Sequence, residues 1–299
     1  MTVVGEALVD LMDGVAYPGG GPANIALGLA RLGLAPTLLT QLGDDAYGAL
    51  VREHLTADGV RVVSAGPPGE PTGTAAAVVG ADGAASYEFA MSWRVRDLAL
   101  AEGSAALHVG SLGLALEPGA ATVLELVERT AGRALVSYDP NVRPTLTPDL
   151  AAMARRVDRV AALADLVKLS ADDLAVLYGD ASAEDVAGRW LYPAGRARLV
   201  VVTLGGSGAL AVTPSGPTRV PGIPVELVDT VGAGDTFQAA LLAALAAESA
   251  LSPAGLAALP PAALDRVLST ATAAAAFACT RPGADPPTRD ELSRFLATR

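Results

Sequence analysis

Lysine is almost missing from this chain: Lys168 is the only one among 21 Lys and Arg residues. A Walker loop needs Gly-Lys-Ser/Thr, whereas Lys168 is followed by Leu169. The strand lysine and His-Arg-Asp loop of protein kinases are absent as well. Any chemistry on ATP must then rest on backbone amides and arginine. The single cysteine, Cys279, excludes an intrachain disulfide and a cysteine zinc site. With two histidines, His54 and His108, there is no multi-histidine metal site. No apolar run reaches the length of a bilayer span, and no charged-then-apolar leader opens the chain. A cytoplasmic protein with no membrane partner is expected. The net charge of −11 argues against a nucleic-acid partner.

What is present is a long apolar chain with regular punctuation. Its 299 residues are 51% hydrophobic, with 32 Gly and 21 Pro, enough for one large α/β core with a small appendage. The most informative stretch is Val228-Asp229-Thr230-Val231-Gly232-Ala233-Gly234-Asp235-Thr236-Phe237. It leads into Gln238 to Ala246, which has strong helix propensity and no breaker. The first amides of a helix lack internal partners and carry the positive end of its dipole. Glycines at 232 and 234 let an anion approach those amides. Asp235 then stands inside a cationic mouth. Such a carboxylate suits removal of a proton from a hydroxyl that attacks a phosphoryl group; a plain helix cap with an acidic first turn is the alternative.

Elsewhere strands alternate with helices. Val3 to Asp10 reads as a buried first strand, with Asp10 at its carboxyl end where open α/β sheets bind ligands. Pro18 to Asn24 is a glycine-rich loop ahead of a helix closed by Gly33; Asn24 offers donor and acceptor to a hydroxylated ligand. Thr72 to Met91 reads as a β-hairpin turning at Gly80 to Gly83, outside the main sheet, with Trp93 and Arg94 either lining its inner face or packing. Residues 134–138 form a strand running into Asp139-Pro140-Asn141-Val142-Arg143-Pro144, and Arg143 is a fixed cation suited to phosphate or a sugar hydroxyl. Lys168 lies on the strand 165–169. Ser170 is an N-cap with Asp173 at the third helical position, close to a capping box. Residues 198–204 form a central strand, and Gly205 to Gly208 turn it either around a nucleotide or into a hairpin.

Together these pieces resemble the ribokinase-like (phosphofructokinase-B type) carbohydrate kinases, and most closely their fructokinase branch. Gly20-Gly21-Pro22-Ala23-Asn24 through Gly33 and Asp229 through Phe237 carry the likeness; residues 107–111, 139–144 and 167–170 support it. The resemblance implies a three-layer α/β fold in one domain, with a central mostly parallel sheet flanked by helices. It also implies a small β lid from about residues 72–93 and a short piece near 11–18. Asp235 would be the base, with the amides of Gly232, Ala233 and Gly234 holding the phosphoryl charge. Asp10, Gly20, Gly21, Asn24 and Arg143 match sugar contacts. Thr203, Gly205, Gly208 and Thr272 match positions along ATP. Asp229 and the carbonyls of Val231, Ala278, Arg281 and Gly283 match a potassium site. Magnesium would arrive with ATP, with Asp173 reaching it through water.

The chain departs from the family at three places. Ser170-x-x-Asp173 replaces Asn-x-x-Glu, Pro287 stands where ribokinase has a serine ligand to potassium, and only eight residues separate Asp10 from Gly19. The lid therefore reads as trimmed, which leaves a lid-mediated homodimer open. The expected activity is ATP-dependent phosphorylation of a primary sugar hydroxyl, D-fructose to fructose 6-phosphate. Ribose, 2-keto-3-deoxygluconate and a nucleoside are alternative acceptors. Two readings of other classes are a dinucleotide oxidoreductase using Gly19 to Asn24, which lacks the third glycine, and a non-catalytic sugar sensor.

Overall fold

The computed structural model describes residues 1–79 and 85–298. The expected hairpin turn at 80–83 lies outside the described residues. The chain opens with β1 (Thr2–Val4), β2 (Leu8–Met12), β3 (Val15–Gly19) and α1 (Gly21–Arg31). Next come β4 (Thr37–Thr40), α2 (Ala46–Ala57), β5 (Arg61–Ser64), β6 (Gly73–Val79) and β7 (Ala85–Ala90). The middle holds β8 (Ala106–Gly110), α3 (Gly119–Thr130), β9 (Leu135–Asp139), α4 (Leu150–Ala161), β10 (Leu166–Ser170), α5 (Ala171–Tyr178) and α6 (Ala183–Trp190). It closes with β11 (Leu199–Thr203), β12 (Ala209–Thr213), β13 (Gly216–Val220), α7 (Ala233–Ala247), α8 (Pro253–Ala257), α9 (Pro261–Ala278) and α10 (Arg289–Ala297).

Among the described residues the strands form two sheets. The nine-stranded one runs β13-β12-β11-β10-β9-β8-β1-β4-β5, and the four-stranded one β3-β2-β6-β7. In the large sheet the strands from β11 across to β5 are parallel, while β12 and β13 turn back antiparallel. Strands β8 and β9 are buried end to end, as parallel strands covered on both faces must be. Side chains alternate between faces. Leu135 and Leu166 join a core beneath α1, α7 and α9, while Val136, Tyr138, Val167 and Leu169 join a second core under α3, α4 and α6. Helix α7 is the innermost: its residues from Asp235 through Leu242 are all buried, the mark of a helix packed all round.

The large sheet does not begin with one strand from Val3 to Asp10. It leaves the main sheet after Val4, and Leu8 to Met12 cross into the four-stranded sheet. Gly5 makes the break: its φ is +156°, and a Cβ there would lie 2.2 Å from Pro22 Cγ. Asp10 therefore sits on β2, paired with Tyr17 of β3 and Ala75 of β6, and not at a main-sheet strand end. Because β3 is antiparallel and belongs to the second sheet, Gly19 to Asn24 does not form the β–α turn of a dinucleotide fold. Trp93 takes the packing role: it is buried and its indole N–H donates to the Gly113 carbonyl at 2.9 Å. Arg94 is exposed and paired with Glu70. The Gly205 turn makes a hairpin between β11 and β12.

Candidate active site

The parallel strands all end on one edge, where Asp139, Lys168 and Asp235 come together. Asp235 is the third residue of α7, whose N-cap Gly232 adopts a left-handed φ of +71°. The carboxylate is only 8% exposed and accepts a hydrogen bond from Asn24 Nδ2 at 2.9 Å. Asn24 is positioned because α1 is capped by Gly20, where φ is +105° and a Cβ would meet the Glu6 carbonyl at 2.6 Å. Gly21 leaves the space between these groups open. Its β-position falls 3.1 Å from Asn141 Nδ2 and 3.3 Å from Asp235 Oδ1, with Ser111 Cβ at 3.8 Å. Burial pushes the Asp235 carboxyl up, against the pull of the Asn24 hydrogen bond and the charges of Lys168 and Arg143.

Asp10 reaches the same space from the second sheet. A Cβ on Gly19 would lie 2.0 Å from Asp10 Oδ2, so the carboxylate folds over that glycine. Its titration is raised by burial, lowered by Arg143 and raised by Asp235, which ties the three charges together. Arg143 stays exposed, with its guanidinium donating to Asn141 Oδ1 at 2.6 Å.

The α7 mouth differs in one respect from expectation. The Ala233 N–H turns back to the Thr230 carbonyl at 3.2 Å, closing the turn that precedes the helix. The amides of Gly232 and Gly234 have no such backbone partner among the described residues. Asp173 completes the capping box the spacing predicts: Oδ2 accepts from the Ser170 N–H and hydroxyl, and Oδ1 from the Val142 N–H at 2.8 Å. Both oxygens thus hold protein groups in place. Among the described residues no cluster of three or more His, Cys, Asp or Glu side chains could hold a metal ion.

The loops matched to potassium do meet. Asp229 Oδ1 accepts from the Val231 N–H at 3.0 Å and Oδ2 from the Gly283 N–H at 2.8 Å. The carbonyls of Ala278 and Gly283 already accept N–H groups of Arg281 and Asp285. Along the neighbouring edge, Thr203 ends β11, and Gly205 and Gly208 have φ of +54° and +95°. The β-position of Gly205 meets nothing within 4 Å, whereas at Gly208 it would strike the Val220 carbonyl at 2.1 Å. Helix α9, which carries Thr272, packs on β12 and β13, and the buried Thr272 Oγ1 has no partner among the described residues.

A profile of pfkB family carbohydrate kinases matches residues 3–291. The chain belongs to that family. As a pfkB family member it is a phosphotransferase acting on a sugar. It is 35% identical over 311 residues to a fructokinase of Klebsiella pneumoniae, covering 98% of each chain. Among solved structures, Xylella fastidiosa fructokinase with bound ATP superposes with a TM-score of 0.85 at 28% identity, covering 99% of this chain and 98% of that one. A double mutant of Vibrio cholerae fructokinase bound to fructose, ADP and potassium gives 0.81 at 28% identity, covering 99% and 97%.

Three further buried polar groups lie around the α7 mouth, to which the sequence alone assigns no role. Glu6, in the break after β1, is 3% exposed and accepts from the Gly113 N–H at 3.2 Å. Burial pushes its carboxyl up to about 7, against the Ser111 hydroxyl. Lys168 and Asp139 form a buried ion pair of 2.8 Å, with side chains 4% and 2% exposed. Arginine and amides are therefore not the only donors near the α7 mouth. His108, Ser137 and Lys168 each stand third in a five-residue apolar strand, and that repeated polar slot was the signal available. All three face α7, where Gln238 Nε2 donates to Ser137 Oγ at 2.9 Å and His108 Nδ1 lies 3.1 Å from the same hydroxyl.

His108 carries a stability consequence. Burial, then the Lys168 charge, lowers its titration from 6.5 to about 3. Between those values the unfolded chain binds a proton that the fold refuses, so stability present above pH 6.5 is lost as pH falls toward 3. In His108→Leu, Tm is expected to decline less steeply between about pH 7 and 4.5 than in the wild type, as read by scanning calorimetry.

Proposed function

We propose that this pfkB family kinase transfers the γ-phosphoryl group of ATP to a primary hydroxyl of D-fructose, giving fructose 6-phosphate. The observation that carries the proposal is the buried Asp235 carboxylate, hydrogen-bonded to Asn24 and facing the space left by Gly21. The names and bound ligands of the similar fructokinases support the choice of sugar and nucleotide. Asp10, Asn24 and Arg143 would hold the sugar, and Gly20 and Gly21 would let it lie close to the backbone. Asp235 accepts the hydroxyl proton as the sugar oxygen bonds to the γ-phosphorus. The bond to the β,γ-bridging oxygen breaks, and ADP leaves. The amides of Gly232 and Gly234, at the positive end of α7, steady the charge that builds on the migrating group.

ATP would lie along Thr203, Gly205, Gly208 and Thr272. Magnesium would come in with the phosphates, mostly through water, since Asp173 already spends both oxygens on protein donors. Potassium would sit between the Asp229–Val231 turn and the Ala278–Gly283 loop, with Val231 and Arg281 offering carbonyls beside the anion site. The four-stranded sheet would act as the lid over the sugar. No helix among the described residues is long and apolar enough to cross a membrane; a cytoplasmic enzyme is the reading that goes with sugar and ATP.

A coupled assay of ADP release over a panel of acceptors tests the proposal. Fructose is expected to give kcat/KM at least about tenfold above ribose, 2-keto-3-deoxygluconate and nucleosides, the discrimination that one or two well-placed polar contacts supply. A higher value for any of those acceptors, or ADP release indifferent to the sugar, would overturn the assignment of fructose.

A further inference from the structure

The one lysine of the chain is buried directly under the α7 mouth. Lys168 Nζ lies 3.3 Å from the position a Gly234 Cβ would take, one residue before Asp235. It donates to Asp139 Oδ2 at 2.8 Å, and Asp139 Oδ1 has no partner among the described residues. Strands β9 and β10 pair with Leu166 opposite Ser137 and Val167 opposite Tyr138, which sets Lys168 level with Asp139 on the face toward α7. A Cβ at 234 would approach the ammonium more closely than an ordinary contact, so the lysine head would have to give by a few tenths of an ångström. A cation buried this deeply costs solvation, and an ion pair remote from any function could be replaced by apolar residues at little loss.

We propose that Lys168 is a positioning residue for the reaction: its ammonium, restrained by Asp139, holds the Asp235 carboxylate in its ionised, proton-accepting form. The inference rests on Asp235 being the base. The groups facing Asp235 are Lys168 from β10, Arg143 and Asp139 around the end of β9, Asp10 from β2, Glu6 after β1, and Asn24 from α1. Three of these are carboxyls, Glu6, Asp10 and Asp139, whose titration the Asp235 charge raises, and Arg143 is the exposed cation. Lys168 is the cation sheltered from water, where an opposite charge acts most strongly. Burial pulls its ammonium down, but Asp139, Asp173 and Asp235 outweigh it and keep the group charged. Burial pushes Asp139 up to about 6, so the pair is ionised at neutral pH.

The test is the pH profile of kcat/KM for fructose in Lys168→Met, Asp139→Asn and the double variant, with Asp235→Asn in parallel. Lys168→Met is expected to move the acid limb up by about one unit or more, costing about tenfold on the acid side of the wild-type limb and little above the shifted one. Asp139→Asn frees the ammonium and is expected to move the limb down. The double variant leaves no unpaired charge, so it folds if Lys168→Met does not, and its limb is expected on the high side. ATP affinity by calorimetry without sugar should stay within about threefold throughout. A limb unmoved in both Lys168→Met and the double variant, with rate lost equally at every pH, would reduce Lys168 to a structural role. A limb that survives in Asp235→Asn would instead remove the base assignment beneath it.

Discussion

Replacing Asp235 with Asn is expected to lower turnover with fructose by about a hundred- to ten-thousand-fold, the cost of a lost general base. The amide matches the carboxylate in size, so Asn24 can keep a partner and the first turn of α7 can keep its shape. What disappears is the proton acceptor facing the Gly21 space. ATP affinity should stay within a few-fold, because the positions proposed for the nucleotide lie at the ends of β11 to β13 and on α9. Stopped assays for kcat and calorimetric titration for ATP separate the two effects. The sign of the pH dependence follows from the burial that raises this carboxyl. The acid limb of kcat/KM should lie above the ordinary aspartate value of 3.8. Turnover near that of the wild type in the variant would reject the assignment of the base.

Gly232→Ala is expected to cost about a hundredfold in kcat, the loss commonly seen when one preorganised donor is taken from an anion hole. Two features of the position compound here. Its φ of +71° is one that an alanine adopts only under strain, and the added methyl would lie 2.6 Å from Ala284 Cβ. Relief requires the turn from Thr230 to Ala233 or the loop at 279–284 to move, and the amides of Gly232 and Gly234 move with it. Because those amides act on charge that develops during transfer, kcat should fall far more than the fructose KM rises. The strain also lowers stability by about 1–3 kcal/mol, read as a drop in Tm. A variant with reduced Tm but full kcat would show that these amides do not serve transfer.

Much of this site could be seen in the sequence because its parts are local. The α7 mouth is a continuous run of glycine, acid and helix former. The Ser170–Asp173 capping box depends on three-residue spacing and appears as expected. The alternation of apolar strands and helices showed the α/β rhythm, and the family resemblance implied the three layers. The failures are non-local. Whether Val3 to Asp10 makes one strand or two depends on Pro22, which packs where a Gly5 side chain would stand. The β2–β3 hairpin contains Tyr17-Pro18-Gly19, which has little strand character until β6 pairs with β2. Glu6 and Lys168 become site residues only when β1, β9 and β10 bring their ends together. A polar residue inside an apolar strand is silent about its partner until the register is known. The family resemblance offers the Ala233 amide to an anion, whereas here it donates to the Thr230 carbonyl at 3.2 Å.

The most direct test of the proposed reaction is phosphorus NMR of the wild-type enzyme with ATP, magnesium and fructose. ADP and a fructose 6-phosphate resonance should grow together, one for one, and both should stay flat in Asp235→Asn over the same period. Consumption of ATP to inorganic phosphate with no sugar ester, or an ester formed equally fast by the Asp235→Asn protein, would contradict it.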